Sequence, residues 1–288
     1  MIARRVLLAG LAGLIVAPTP GWAQGQRIVA LGGDVAEIIA ALGREASLVG
    51  CDETCVFPPA LARLPRAGYV RAFSSEGVLS LRPGAVVASA AAGPPAALAQ
   101  LRAAGVPVVL IPEARDEASL IAKVRAVGAA IGAPAAAEQL AGDIAARLDQ
   151  LARRVARDGR RLRTLALMAG ARGALMAAGP GTAADAVIRL AGGRNVFTAT
   201  GVKPLTPEAG LAAAPEVILA PSHALDSLGG RDRVLGNPAL AATPAARAGR
   251  LVTMDSLKLL GFGPRLPEAA EELFVALRTP LGDRAGRA

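Results

Sequence analysis

The chain has 288 residues and a formal net charge of +9, and 53% of its residues are hydrophobic while only 2% are aromatic. That length accommodates two lobes of ordinary domain size, and the excess of basic residues favours an anionic ligand or surface. Nucleic acid is not expected as a partner, because the sequence contains no Lys/Arg run with interleaved aromatic residues.

Residues 1–23 have the pattern of an export signal. Arg4 and Arg5 form a basic start, residues 6–16 are apolar, and Gly21-Trp22-Ala23 resembles a small-x-small cleavage site. The apolar run is shorter than the ~20 residues that a membrane span needs, and an uncleaved N-terminal anchor remains the alternative. We expect a soluble periplasmic protein, cleaved near Ala23.

Short apolar strands alternate with helices through the rest of the chain, which predicts a parallel α/β fold. The predicted strands are residues 27–31, 47–50, 85–89 and 106–111, and the predicted helices are residues 35–42, 96–104, 119–132 and 135–157. A second series of strands and helices starts with a strand over residues 162–168.

One predicted helix is much longer than the others. Within residues 135–157, apolar side chains at spacings of three and four trace a single helical face, at Leu140, Ile144, Leu148, Leu151 and Val155. At ~1.5 Å per residue, this helix is roughly 35 Å long. We therefore expect an N-terminal lobe over residues 24–134, a linking helix over residues 135–158 and a C-terminal lobe over residues 159–288.

The second half of the chain repeats a pattern of the first half. Glu76 and Pro83 precede an apolar strand, and Glu208 and Pro215, each 132 positions later, precede another. Chance similarity is the alternative explanation. We predict two Rossmann-like lobes of similar fold, joined by the long helix.

Tyr69 is the only tyrosine of the chain, and Arg71 lies two residues beyond it. Tyrosinate is one of the few side chains that act as an axial ligand of haem iron, and a neighbouring cation favours the charged phenolate. An ordinary loop aromatic is the alternative for an isolated tyrosine, so the surrounding sequence has to decide between the two.

Several strings along the chain occur in an order that resembles one family. They are residues 27–38, 68–71 with 75–81, 181–186, 191–195, 203–208 and 260–265. Together they extend over nearly the whole mature chain and are similar to the haem-binding, helix-linked substrate-binding proteins of bacterial ABC importers. The resemblance implies haem b as the transported ligand, in a cleft between two lobes. It also implies a monomer whose partner is an ABC permease dimer with its ATPase subunits.

By the same resemblance, Tyr69 matches the family's axial ligand of the haem iron. Arg71 is expected to stabilise the phenolate or to contact a haem propionate, with a solvated loop arginine as the alternative. Lys203 could help to neutralise propionates, and Arg172 is a further candidate for the haem pocket.

His223 is the only histidine and follows a predicted strand over residues 217–220. The carboxyl ends of strands face the ligand cleft in open α/β sheets. Relatives in the family commonly have an arginine at the matching place, near the ligand tyrosine. We expect His223 to hydrogen-bond the Tyr69 oxygen or to bind iron, with a surface or structural histidine as the alternative. The first loop of the C-terminal lobe, where some relatives carry a second ligand, contains no histidine.

Cys51 and Cys55 are the only cysteines. Export permits a disulfide, and this is the pairing that we favour. Two free thiols, or metal or haem binding, are the alternatives, although two cysteines alone do not make a zinc site.

Glu76 and Glu208 occupy matching positions in the two half-patterns. The resemblance implies that one such acidic residue on each lobe docks against arginines of the permease. Exposed charge pairs contribute only ~0–1 kcal/mol each. The two glutamates would therefore determine the orientation of the protein on the permease more than the affinity of the complex. Carboxylates that cap helix starts are the alternative.

Other functions have weaker support in the sequence. A secreted hydrolase of the Ser-His-Asp type would depend on His223, and no Gly-x-Ser-x-Gly motif occurs, so we do not expect an enzyme. A zinc or manganese carrier normally needs several His and carboxylate ligands. A siderophore- or corrinoid-binding protein of a related importer remains the alternative, because it would share the fold and the docking glutamates.

Overall fold

The computed structural model of the chain describes residues 26–279. The export signal predicted over residues 1–23 therefore lies outside the described residues. The described chain forms two α/β lobes, one around a four-stranded sheet and one around a six-stranded sheet.

The strands are short, as expected for parallel α/β architecture. They are β1 (Ile28–Leu31), β2 (Leu48–Cys51), β3 (Gly68–Tyr69), β4 (Ala72–Phe73), β5 (Ala85–Ser89), β6 (Val108–Ile111), β7 (Arg163–Ala169), β8 (Leu175–Ala178), β9 (Arg194–Asn195), β10 (Val202–Pro204), β11 (Val217–Pro221) and β12 (Leu251–Met254).

The helices vary more in length. They are α1 (Gly33–Ala41), α2 (Ser75–Ser80), α3 (Pro95–Ala103), α4 (Glu117–Ala130), α5 (Pro134–Asp158), α6 (Ala183–Leu190), α7 (Pro207–Ala213), α8 (Ser222–Ser227), α9 (Arg231–Leu235), α10 (Pro244–Arg247), α11 (Ser256–Leu260) and α12 (Leu266–Arg278).

The N-terminal sheet has the order β2-β1-β5-β6, and every pair in it is parallel. β1 and β5 are buried at every residue, because helices and loops cover both faces of the sheet. This is why their sequences are continuous apolar runs without alternation. All four carboxyl ends lie at one edge of the sheet.

The C-terminal sheet has the order β10-β8-β7-β11-β12, with β9 beside β7. β11 pairs in parallel with β7 and β12, as predicted. β8 differs, because it runs antiparallel to both β7 and β10. The turn over residues 170–174 brings the chain straight back, and it is too short for the helical crossover that a parallel pair requires.

The repeat predicted from the sequence is present in the fold. β5 lies between β1 and β6, and β11 lies between β7 and β12. Both strands have five residues, and each follows a short helix, α2 or α7. The α/β fold with two lobes of similar design is therefore confirmed.

α5 is the longest helix, with 25 residues. Pro134 opens it, and Gly159 in a left-handed conformation follows its end. It packs against α4 of the N-terminal lobe and against α12 and α6 of the C-terminal lobe. The face it buries comprises Ala137, Ala141, Ile144, Leu148, Leu151 and Val155. These side chains belong to one apolar core that contains residues of both lobes.

The carboxyl edges of the two sheets face each other. α1 begins directly after β1, and α11 begins directly after β12. At Gly33, a Cβ atom would lie 2.3 Å from the Thr54 carbonyl oxygen and 3.0 Å from Leu257 Cδ1, so the start of α1 lies close both to the loop after β2 and to α11 of the other lobe. Loops from both carboxyl edges therefore line a common cleft.

Candidate ligand cleft

Tyr69 lies on a small hairpin at the carboxyl edge of the N-terminal sheet. β3 and β4 pair antiparallel, with Tyr69 opposite Ala72. Val70 and Phe73 point into the core and are 8% and 3% exposed, whereas Tyr69 is 45% exposed. The two apolar side chains anchor the hairpin, and the Tyr69 phenol is left exposed.

Backbone hydrogen bonds hold this hairpin to the loops around it. Gly93, after β5, donates its N–H to the Val70 carbonyl at 2.9 Å and accepts from the Phe73 N–H at 3.2 Å. The Glu53 N–H, after β2, donates to the Gly68 carbonyl at 2.9 Å. Because its backbone is held at both ends, the hairpin is a fixed platform for the Tyr69 side chain. Arg71, in the turn of the hairpin, is exposed.

His223 lies on the opposite lobe, in the first turn of α8. Its Nδ1 atom is 2.7 Å from the Ser256 hydroxyl, which also accepts the His223 backbone N–H at 3.1 Å. Ser222 lies 2.9 Å from the same hydroxyl. Ser256 thus orients the imidazole through Nδ1, and Nε2 is the ring nitrogen left for a ligand.

Arg172 and His223 lie at the same edge of the C-terminal sheet. Arg172 lies in the turn between β7 and β8, and α8 follows β11, so both residues are at the carboxyl edge of one sheet. The Ser227 hydroxyl donates to the His223 carbonyl at 2.7 Å, and Ser227 and Arg172 line the same cavity. Lys203 is exposed on the edge strand β10 and does not line that cavity.

Glu76 and Glu208 are both exposed. Each is the second residue of a short helix, behind the capping hydroxyls of Ser74 and Thr206. Hydrogen bonds from its own backbone N–H and from Thr206 lower the pKa of the Glu208 carboxyl. The two glutamates therefore occupy equivalent places on the two lobes. The Glu208 carboxylate also accepts hydrogen bonds at the start of its own helix.

Cys51 and Cys55 are free thiols, and both are buried. The disulfide favoured from the sequence is not formed in this structure, and both sulfurs take part in hydrogen bonds. Arg66 Nη1 donates to Cys51 Sγ at 3.1 Å, and Cys55 Sγ donates to Asp52 Oδ2 at 3.2 Å. A hydrogen bond between the side chains of Cys51 and Cys55, together with the positive charge of Arg66, lowers the pKa of Cys51 against the effect of burial. The pKa of Cys55 is raised by that same hydrogen bond and by burial.

Sequence reasoning missed three residues that shape the cleft. Nothing in the sequence indicates a role for Ser256 beyond its position after a strand. Glu37 and Arg265 form a buried ion pair between the lobes. Glu37 carries a weak signal, since it is an acidic residue among the buried side chains of α1, but nothing in the sequence identifies Arg265 as its partner.

The described residues contain neither a metal-binding cluster nor a membrane-spanning helix. Between residues 26 and 279, no group of three or more His, Cys, Asp or Glu side chains is arranged to hold a metal ion. In the same part of the chain, no helix is long and apolar enough to cross a membrane.

Comparison with protein families decides the identity of the fold. Residues 28–257 match the model of the family described as periplasmic binding protein. The chain belongs to this family. No curated protein matched this periplasmic binding protein.

Solved structures are similar to this periplasmic binding protein over most of its length. The apo form of the periplasmic haem-binding protein RhuT from Roseiflexus sp. RS-1 is 40% identical, with a TM-score of 0.84 over 88% of this chain and 97% of that one. The periplasmic haem-binding protein BhuT in complex with two haems is 42% identical, with a TM-score of 0.81 and the same coverage. A periplasmic haem-binding protein from Pseudomonas aeruginosa is 37% identical, with a TM-score of 0.80 over 87% and 92% of the two chains.

Proposed function

We propose that this protein captures haem in the periplasm and delivers it to an ABC-type permease of the inner membrane. The observation that carries the proposal is the exposed Tyr69 phenol, held on a fixed hairpin at the edge that faces the other lobe. The relatives named as haem-binding proteins, at 37–42% identity over most of both chains, support the same ligand.

Tyr69 acts in this proposal as the axial ligand of ferric haem b. A phenolate is a hard anionic oxygen ligand, which suits ferric iron. Arg71, two residues away and also exposed, adds positive charge beside the bound haem. The protein binds and releases the cargo and catalyses no reaction on it.

The opposite lobe supplies the remaining contacts. Because Ser256 engages Nδ1 of His223, Nε2 is the ring nitrogen that donates a hydrogen bond to the Tyr69 oxygen. Arg172, at the same edge, contributes positive charge for the haem carboxylates. Lys203 lies on β10, whose end is at this edge, and adds positive charge at the rim.

Delivery requires a partner in the membrane. We infer that Glu76 and Glu208 dock the monomeric protein on a permease dimer that carries ATPase subunits. Their equivalent positions on the two lobes suit a partner with two matching halves. Removal of the export signal near Ala23 releases the mature protein into the periplasm.

A haem titration tests the proposal. Purified wild-type protein with added hemin should develop a shifted Soret band and the charge-transfer band of high-spin ferric haem bound by tyrosinate. Tyr69→Phe should lose both bands and retain no haem on gel filtration, while its circular dichroism matches wild type. Arg63→Gln, which changes an exposed arginine outside the hairpin, should bind haem as wild type does. Equal haem titrations for Tyr69→Phe and wild type would eliminate Tyr69 as the ligand.

A further inference from the structure

Several helices of the C-terminal lobe end at the amino edge of its sheet, where β7 and β12 begin. The last carbonyl groups of a helix have no partner within the helix and carry partial negative charge. Three half-buried arginines donate to carbonyl groups of this kind. The pairs are Arg163 with Ala213 of α7, Arg250 with Leu277 of α12, and Arg278 with Ala191 after α6. These arginines stabilise the fold.

Arg157, Arg161 and Arg194 lie at the same edge but have no such structural partner, and we call them the amino-edge patch. Arg157 is in the last turn of α5, Arg161 precedes β7, and Arg194 is in β9 beside β7. All three are exposed, and none forms an ion pair with another described residue. Asp158, next to Arg157 in the chain, is already paired with two other arginines. The charges of the patch are therefore not neutralised by these contacts.

The amino edge carries the basic excess of the described chain. We take this edge as residues 157–163, 194, 216, 247–250 and 278, in which the arginines far outnumber the carboxylates Asp158 and Glu216. In the other described residues, acidic and basic side chains are equal in number. The positive charge of the protein is therefore localised at one end of the C-terminal lobe and is not spread evenly over its surface.

The arrangement of these charges suits an extended anionic surface. The strands β9, β7, β11 and β12 lie side by side, so at ~4.8 Å per strand the edge is roughly 15 Å wide. A site for one small anion needs donors that converge on a point, whereas these arginines are distributed along an edge. Guanidinium groups bind phosphate groups well, because their paired donors match two oxygens of one phosphate.

The amino-edge patch is remote from the ligand cleft. β7 has seven residues, so at ~3.3 Å per residue its two ends are roughly 20 Å apart. His223 lies beyond the opposite, carboxyl edge of the same sheet. Glu208 is at the start of α7, whereas Arg163 contacts Ala213 at the end of that helix. A surface bound at the patch therefore leaves His223 and Glu208 free.

We propose that the amino-edge patch binds the phosphate groups of a bilayer that contains anionic phospholipid, and so holds the protein on a membrane surface. The proposal goes beyond haem binding and does not depend on it. A basic side chain near an anionic bilayer strengthens binding roughly fivefold, so three arginines together contribute roughly a hundredfold. Salt screens this attraction, because the Debye length at physiological ionic strength is only ~8 Å.

Co-sedimentation with vesicles tests the patch. The mature chain is mixed with vesicles of phosphatidylcholine alone, or with vesicles in which one third of the lipid is phosphatidylglycerol, at low and at high salt. Wild type should bind only the anionic vesicles and should be released by salt. Arg157→Gln/Arg161→Gln/Arg194→Gln should bind them roughly a hundredfold more weakly, while its circular dichroism and its hemin titration match wild type. The corresponding triple lysine variant keeps the charge and should retain most of the binding.

A matched control changes three exposed arginines of the N-terminal lobe, Arg63, Arg82 and Arg102. Arg63→Gln/Arg82→Gln/Arg102→Gln removes the same net charge from the protein but leaves the amino-edge patch intact. This variant should bind the anionic vesicles within a fewfold of wild type. The comparison separates a local surface from a general effect of net charge.

The other outcomes overturn the proposal in distinguishable ways. Equal losses in the two triple glutamine variants would show that only net charge matters. Wild type that binds neither kind of vesicle, or both equally, would exclude an electrostatic membrane site. Soluble polyphosphate or polyglutamate that binds through the three arginines, without any vesicle binding, would assign the patch to a free phosphate compound or to an acidic protein. None of these results bears on haem binding, which the hemin titration measures separately.

Discussion

Glu37 and Arg265 form a bidentate ion pair between the two lobes, with both N···O distances at 2.9 Å. They are 228 positions apart in the chain. Glu37 is only 3% exposed, and the Arg265 guanidinium also covers the Phe57 ring at 3.7 Å from its centroid. Burial raises the pKa of the Glu37 carboxyl, against the opposing attraction of Arg265. The carboxylate therefore depends on this one arginine to remain ionised in the interior.

Removal of the arginine should be the more damaging change at this pair. Arg265→Met keeps a side chain against Phe57 but leaves the carboxylate buried and unpaired, which costs ~3–5 kcal/mol. Glu37→Gln should cost clearly less, because Arg265 retains Asp255 at 3.5 Å and the buried charge is gone. Chemical denaturation of both variants measures the difference.

The pH dependence has a defined sign. A raised folded-state pKa gives stability that is present at low pH and is lost as the pH rises through that pKa. Loss of Arg265 raises the pKa of Glu37 further, so Arg265→Met should recover stability as the pH falls through that raised pKa towards the pKa of the unfolded state. Arg125→Met is the control, since Arg125 pairs with Glu138 in the same bidentate geometry at the surface. Arg125→Met should leave the denaturation midpoint unchanged at every pH. An equal loss of stability in Arg265→Met and Arg125→Met would contradict the argument from burial.

His223 should tune the haem spectrum without being an iron ligand. His223→Ala should weaken haem binding modestly and keep a high-spin spectrum, because it removes a hydrogen bond to the phenolate and not a metal bond. Absorption spectra and haem release rates of His223→Ala and wild type measure both effects.

Ser256→Ala provides a finer test of the same contact. It removes the hydroxyl that holds Nδ1 but leaves the imidazole in place, so its effect on haem release should be smaller than that of His223→Ala and in the same direction. A low-spin wild-type spectrum that becomes high-spin in His223→Ala would show instead that the histidine binds iron.

Glu76→Ala/Glu208→Ala should stop haem uptake and leave haem binding intact. The two side chains are exposed, and neither residue takes part in the backbone hydrogen bonds that hold the Tyr69 hairpin, so their loss removes docking contacts only. Uptake into vesicles that contain the permease and its ATPase is compared with the haem titration of the same protein. Glu45→Ala, an exposed glutamate before β2, should transport normally. Normal uptake by the double variant would exclude the docking role.

Cys51 should ionise at lower pH than Cys55. Cys51 receives hydrogen bonds from Cys55 and Arg66, whereas Cys55 is buried beside Asp52. Titration of the thiolate absorbance in Cys55→Ala and Arg66→Gln should show that each substitution raises the pKa of Cys51. Cys51→Ala should leave a Cys55 that ionises above an ordinary thiol near ~8.5. Superimposable titrations of Cys55→Ala and Cys51→Ala would show that the two thiols are equivalent.

Local sequence patterns predict the buried strands well. Residues 85–89 were predicted as a strand and form β5 with the same bounds, because a strand that is covered on both faces must be apolar throughout. The long helix was predicted to within one residue at each end, since its buried face repeats every three or four residues. The direction of β8 was not predicted, because Leu175-Met176-Ala177-Ala178 has no feature that distinguishes a return strand from a parallel one.

Contacts between distant segments could not be predicted in the same way. Arg265 and Ser256 act on partners 228 and 33 positions away, and no periodicity connects them. The cysteine spacing allowed a small ring, but the orientation of each sulfur towards Arg66 or Asp52 is set by the loop around them. Tyr69 was identified through its neighbours in the sequence, and its role as iron ligand stays a prediction until haem is titrated.

The helix α5 has a consequence for how the protein unfolds. Its buried face belongs to an apolar core that also contains Ile38 of the N-terminal lobe and Leu273 of the C-terminal lobe, so the two lobes share this core, although each also has a smaller core of its own. Heating should therefore give one calorimetric transition rather than two. Leu148→Ala, in the middle of this face, should cost ~2–5 kcal/mol and lower that single transition as a whole. A lobe expressed without the helix would expose the apolar surface that α5 covers, and we expect it to aggregate rather than to fold.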